Sequence, residues 1–213
     1  MSYLVFLGFF LLASITTSSG QICAARADVP TLPNSGPSVF SPTVLSARWS
    51  ARQVRKLKFY LDPARTNIPF STRKRIFTRA FDKWERASCI KFAITSVKSN
   101  ANIVLQFLPI FPTDTAAFAT PPPTQVELTF DSGEIWSTDS SNPPDNSLDL
   151  ESVALHLIGH AIGLQHLATT GHVMNRRLVD RVGAPNTEGI RKTRLQDEDI
   201  TLATNIYGPC DDP

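Results

Sequence analysis

The sequence is short of most features that assign a function by composition alone. Lysine and arginine together outnumber aspartate and glutamate only 21 to 19, too small an excess to argue for a nucleic-acid partner. The basic clusters that do occur (Arg52, Arg55, Lys56 and Lys58; Arg73, Lys74, Arg75 and Arg79; Arg191, Lys192 and Arg194) are interleaved with apolar residues and read as solvated faces. Beyond the first twenty residues no apolar run approaches a membrane span. There is no internal repeat, no low-complexity tract and no N-x-S/T sequon. Cysteine is scarce: Cys23, Cys89 and Cys210 make an odd number, so one disulfide and one leftover thiol are expected in an oxidising compartment. Cys89 with Cys210 is the preferred pair because both fall inside the expected folded region, but sequence leaves the pairing open. Histidine is nearly as scarce, with four in 213 residues.

What is present begins with an apolar stretch over residues 3–15, followed by the small polar run Thr16 to Gly20. It is too short to span a bilayer and is followed by small residues, so 1–20 reads as a secretory signal peptide and the protein as secreted. Residues 21–47 are rich in proline, serine and small residues and read as an extended leader. The remainder, at 42% hydrophobic and 19% charged for the whole chain, suits one globular domain. Strands are expected over 56–61, 90–95, 103–107 and 125–130. A helix is expected over 71–87, with Ser71 or Thr72 as N-cap and Ile76, Ala80, Phe81 and Trp84 on one face. Two more are expected over 149–164, ended by Gly163, and over 197–207, closed by Gly208 and Pro209. Grouped strands with separate helices point to an α+β domain over 48–210 and a tail of 211–213.

Three of the four histidines fall within eleven residues, as His156-x3-His160-x5-His166. Positions i and i+4 of a helix stand on one side, so His156 and His160 present their rings together. Gly163 allows a sharp left-handed turn that brings His166 to the same point. Three imidazoles with an open fourth position is the pattern of a catalytic zinc site.

The segment from His156 to His166, HLIGHAIGLQH, resembles the metzincin zinc motif H-E-x-x-H-x-x-G-x-x-H. The lead-in Asp149 to Ala154 resembles plant matrixins in particular, Met174 stands at the Met-turn position, and Arg48-Trp49 resembles the start of a matrixin catalytic domain. The similarity extends through Phe81 and Trp84, Phe130 to Trp136, and Asp199 to Gly208. The resemblance implies a twisted, mostly parallel five-stranded mixed sheet with three helices, and one zinc held by His156, His160 and His166 above Met174.

The departures matter as much. The family's catalytic glutamate is Leu157 here. In the family the glutamate takes a proton from zinc-activated water and delivers it to the leaving amine; leucine does neither, and that loss is worth about 10²–10⁴ in rate. Leu157 is also expected to line the site with apolar surface. Glu151, about 240° round the helix, faces elsewhere and reads as structural. Ala116 and Thr129 stand where the family has histidines for a second zinc, so that metal is expected to be lost. Asp131 and Glu134 match calcium ligands, and calcium there is an open expectation. No propeptide thiol switch is recognised, although Cys23 is a conceivable zinc cap. After Met174 come Asn175, Arg176 and Arg177, unlike the family. His172 reads as an exposed loop residue.

Three functions remain in competition: an inactive or impaired zinc-binding homologue, an active zinc metalloendopeptidase with a non-standard base, and an interaction module that keeps only the fold. The first implies a monomer holding a peptide or protein ligand in its cleft, with no nucleic acid and no membrane.

Overall fold

The computed structural model describes residues 48–209, apart from 65, 112–114, 178 and 184–188, together with the backbone of Cys23–Ala25. The expected signal peptide over 1–20, the rest of the expected leader, Cys210 and the tail lie outside the described residues.

The first short strand, β1 (Cys23–Ala25), comes from the leader. β2 (Leu57–Leu61) buries Leu57, Phe59 and Leu61 while Lys58 and Tyr60 are half-exposed, the period-2 alternation of a sheet with one packed face. α1 (Phe70–Ala87) follows. It begins at Phe70 behind Pro69, and no side chain caps it, so the expected Ser71 or Thr72 cap is not made. Pro69 is itself the N-cap residue, and its fixed φ of −54° leads into the first turn without a side-chain cap. Ile76, Phe77, Ala80, Phe81 and Trp84 form the buried stripe of α1.

β3 (Phe92–Ile94), β4 (Ile103–Leu108), β5 (Ala117–Ala119) and β6 (Val126–Asp131) complete the main sheet. Its order is β1-β5-β6-β4-β2-β3. β4 runs parallel to β2 and β6, β2 runs parallel to β3, and β5 alone is antiparallel to its neighbour β6. β2 to β6 are the expected five-stranded mixed sheet, and β1 adds a sixth strand parallel to β5 at one edge. β5 escapes the sequence pattern because three residues, Ala117, Phe118 and Ala119, are too few to display a period.

The core between sheet and α1 is aromatic. Phe59 stacks on Phe81 with centroids 4.1 Å apart, and Phe130 lies 5.2 Å from both Phe77 and Phe107. Two members of the basic clusters prove buried rather than solvated. Arg73 is 2% exposed because its guanidinium donates to the carbonyls of Asp62 and Ala64, each at 3.0 Å. Lys192 is 6% exposed, its ammonium donating to the carbonyl of Arg177. In each case fixed backbone oxygens replace water at the end of the side chain, while Arg73 Nε is buried without a partner.

Two short parallel strands, β7 (Trp136–Ser137) and β8 (Leu148–Asp149), lead straight into α2 (Leu150–Ala161). All 12 residues of α2 are buried, which is why its sequence shows little amphipathic pattern. α3 (Asp197–Tyr207) closes the domain with a capping box between Gln196 and Asp199. No helix among the described residues is long and apolar enough to cross a membrane.

Candidate metal centre

α2 is fixed at both ends before it carries any chemistry. Asp149 is its N-cap, the carboxylate accepting from Ser152 N (2.9 Å) and Ser152 Oγ (2.6 Å). At the other end Trp49 Nε1 donates to Ala161 O (2.7 Å) and Tyr207 Oη to Ile162 O (2.6 Å). Trp84 Nε1 donates to Leu155 O (2.8 Å) between them. Helix-end carbonyls that lack partners within the helix are thereby satisfied by side chains from remote segments. The helix stops at Ala161, slightly before the expected 164. Gly163 then adopts φ 89°, and its N–H returns to His160 O at 2.8 Å.

That turn delivers His166. The Nε2 atoms of His156 and His160 are 3.0 Å apart, those of His160 and His166 3.1 Å, and those of His156 and His166 3.3 Å. A tetrahedral zinc with Zn–N bonds of 2.0–2.1 Å places its ligand nitrogens roughly 3.3–3.4 Å apart. The second nitrogens are also provided for. His156 Nδ1 donates to Val173 O (2.6 Å) and His160 Nδ1 to Leu164 O (2.9 Å). A neutral imidazole carries one proton, so both Nε2 atoms present lone pairs to each other. Lone pairs facing at 3.0 Å repel unless a cation lies between them, and the donor set therefore fits a zinc ion. Burial, followed by the two neighbouring imidazoles, pushes His156 well below the ordinary histidine value. The neutral ring that ligation needs is thus the favoured form. Among the described residues the only cluster of three or more metal-capable side chains is this one, and no carboxylate belongs to it.

The loop after His166 returns beneath the helix. Leu167 N donates to Met174 O (2.8 Å), and Asn175 Nδ2 reaches the carbonyls of Leu167, Ala168 and Thr169 at 3.2, 3.3 and 2.9 Å. Met174 is fully buried, and its sulfur fills the space over Gly159. Asp199, a residue to which sequence reasoning gave no role, accepts from Val173 N (3.1 Å) and Met174 N (2.9 Å). Its only signal in the sequence is its place in the first turn of α3, where a carboxylate serves local capping just as well.

Leu157 departs from expectation in one respect. It does not line the site with exposed apolar surface: it is 0% exposed and belongs to the core cluster, as the burial of all of α2 requires. Glu151 faces α1, as the helical angle implies. It accepts from Arg79 (2.5 Å) and Lys83 (2.6 Å), with Arg191 at 3.7 Å. Of the positions expected to have lost a second metal, Ala116 is buried, and the buried Thr129 takes a hydrogen bond from Gln106 Nε2 at 3.2 Å.

Asp131 and Glu134, matched to calcium ligands in the sequence, each have protein partners. Asp131 Oδ1 accepts from the N–H groups of Ile110 (3.3 Å) and Gly133 (3.0 Å). Glu134 is gripped by both arms of Arg181, at 2.7 and 2.6 Å. This fork raises the Arg181 pKa above its ordinary value. His172 is half-buried rather than exposed, its Nε2 lying 3.6 Å from Glu198 Oε2.

Comparison with known proteins agrees with this geometry. The sequence profile described as matrixin matches residues 48–208. The chain is 30% identical over 176 residues to Metalloendoproteinase 5-MMP of Arabidopsis thaliana, covering 76% of this chain and 46% of that protein. It is 29% identical over 172 residues to Metalloendoproteinase 1 of Glycine max, covering 76% and 53%. Matrix metalloproteinase-17 of Homo sapiens is 37% identical over 79 residues, 37% of this chain and 12% of that protein. The chain thus spans about half the length of the plant relatives it matches.

Proposed function

Because the chain belongs to the matrixin family and is of the plant type, we propose that it is a secreted zinc-binding matrixin in which proteolysis is lost or severely impaired at Leu157. One observation carries the reading: three convergent Nε2 atoms 3.0–3.3 Å apart, with a fully buried leucine next to His156 in the motif. Zinc held by His156, His160 and His166 would supply Lewis acidity toward a carbonyl and acidify water.

The chain's own residues account for the other half of the chemistry. A general base must reach the proton it removes within about 2.6–3.2 Å, directly or through one water. Leu157 has no proton-accepting atom. Glu151 is committed to Arg79 and Lys83, Asp149 to Ser152 and Arg191, and Asp199 to the backbone of Val173 and Met174. The near-balance of charge argues against a nucleic-acid partner and the apolar N-terminal run supports secretion; the reading is of a monomer with no membrane partner. A peptide or protein inhibitor is the ligand class that a metal-bearing cleft without a base still holds. Calcium at Asp131 and Glu134 is not part of this reading, since Arg181 already supplies the positive charge at Glu134.

The test pairs the natural protein with Leu157→Glu on a generic peptide and on casein, with zinc content measured on the same samples. About one zinc per chain and no chelator-sensitive cleavage are expected from the natural protein. Cleavage at the rate of an ordinary family member would overturn the impairment and favour a working endopeptidase with a non-standard base. Absence of zinc would favour an interaction module that keeps only the fold.

A further inference from the structure

Parts of two basic clusters in the sequence meet on one surface. On α1, Arg75, Arg79 and Arg86 are exposed and fall within about 40° of one another round the helix, along about 16 Å of its axis. Lys83 borders this stripe. Its ammonium donates to Thr193 O at 2.6 Å, which ties the segment carrying Arg191 and Arg194 to the side of α1. Glu151 holds the same junction from beneath. Arg79 and Lys83 reach its carboxylate at 2.5 and 2.6 Å, and Arg191 lies at 3.7 Å. Lys83 and Thr193 are 110 positions apart, so only the fold joins the two clusters.

The surface so formed is of one sign. Arg75, Arg79, Arg86, Arg191 and Arg194 are exposed, against two exposed carboxylates, Asp82 on the α1 stripe and Asp197 just after Arg194. Asp149 and Glu151 are buried and already engaged by Ser152, Arg79, Lys83 and Arg191. Among the described residues nothing pairs with the guanidiniums of Arg75, Arg86 or Arg194. In a chain of net charge +2 this is a local concentration of cations.

The chemistry of a partner follows from what the surface has and what it lacks. Guanidinium forks match carboxylates in paired hydrogen bonds. Cations spread over about 16 Å suit a chain of anions better than a single ion. Neither α1 nor residues 191–194 add an exposed aromatic to the stripe on which a base could stack, or a large aliphatic side chain that would enter a bilayer. The one large apolar residue exposed on α1, Phe70, lies about 140° round the helix from Arg75.

We propose that this surface binds an extracellular polyuronate, an acidic polysaccharide with a carboxylate on each sugar, and so anchors the protein where it is released. The proposal rests on the secreted reading above for the meeting of the two. Glu151 precedes His156 by five residues, about 140° round α2. The anchoring surface and the first histidine therefore lie on different sides of that helix.

The full chain, titrated with polygalacturonate beside neutral dextran, tests this. Polygalacturonate is expected to bind and dextran not, with affinity falling about tenfold or more from about 0.02 to about 0.3 M salt. The triple variant Arg75→Ala, Arg86→Ala, Arg194→Ala should bind about tenfold more weakly. A second triple, Arg52→Ala, Arg55→Ala, Lys56→Ala, removes the same charge from exposed positions before β2 and should change affinity less than about twofold. All six side chains are exposed, so both variants should keep the unfolding midpoint of the natural protein. Three results would overturn the proposal: no binding of polygalacturonate, equal losses in the two triples, or tighter binding of single-stranded DNA or of anionic phospholipid vesicles. Zinc measured on the same samples separates this from the functional reading. Binding without zinc sinks only the zinc function, and zinc without binding sinks only the anchoring surface.

Discussion

Asp199 and Met174, 25 positions apart in the chain, are joined by a 2.9 Å hydrogen bond from the Met174 N–H to the Asp199 carboxylate. The same carboxylate takes the N–H of Val173, whose carbonyl in turn accepts the Nδ1 proton of His156. A residue in α3 thus orients a zinc ligand in α2 through one peptide unit. Asp199→Ala leaves three backbone donors without their acceptor, those of Val173, Met174 and Gln196. A stability loss of about 2–4 kcal/mol is expected by denaturant titration, with zinc affinity down about 10–100-fold in chelator competition. Unchanged zinc affinity would show that Asp199 merely caps α3.

Zinc removal should destabilise the fold, because the metal binds a site preformed by α2 and the turn after it, which the unfolded chain does not hold in place. At free zinc about 100 times the dissociation constant, the metal contributes about 2.7 kcal/mol. Differential scanning calorimetry with and without a chelator measures this. His160→Ala should unfold at the same temperature in both conditions.

Gly159 admits no side chain. A Cβ there overlaps the Met174 sulfur and comes within 3.1 Å of Trp84 Cζ2. Gly159→Ala should therefore cost about 1–3 kcal/mol despite alanine's higher helix propensity. A gain in stability would mean that Met174 moves aside freely.

Leu157→Glu has a structural cost apart from its catalytic purpose. The position is 0% exposed, so the change removes apolar packing and buries a carboxylate. The variant should be about 2–4 kcal/mol less stable than the natural protein in urea. Equal stability would place residue 157 against solvent.

Arg181 and Glu134 form a two-pronged ion pair, and Arg181 Nη1 also donates to Asn146 O at 3.0 Å. Calcium chelation should leave the unfolding midpoint unchanged, whereas Arg181→Ala should cost about 1–3 kcal/mol. A midpoint that falls on chelation and recovers with added calcium would restore the calcium expectation.

The residues readable in the sequence were those whose pattern is local. β2 shows its alternation within five residues, and α3 shows its charged first turn and closing glycine. The short strands β1, β5, β7 and β8 carry no such pattern, because two or three residues pair only when a neighbour is already in place. The burial of Arg73 and Lys192 was illegible for a related reason: what makes a buried charge tolerable is a distant carbonyl, at Asp62, Ala64 or Arg177.

The same division runs through the metal centre. Helical periodicity and one glycine are enough to bring His156, His160 and His166 to a point, because the relation between them spans eleven residues of continuous chain. Sequence alone likewise shows that Leu157 offers no atom to accept a proton. Only the tertiary structure decided their further surroundings: the Val173 and Asp199 bonds behind His156, and the arginine at Glu134. Each of these joins residues far apart in the chain. Their encounter follows from how helices and strands pack, which no local pattern encodes.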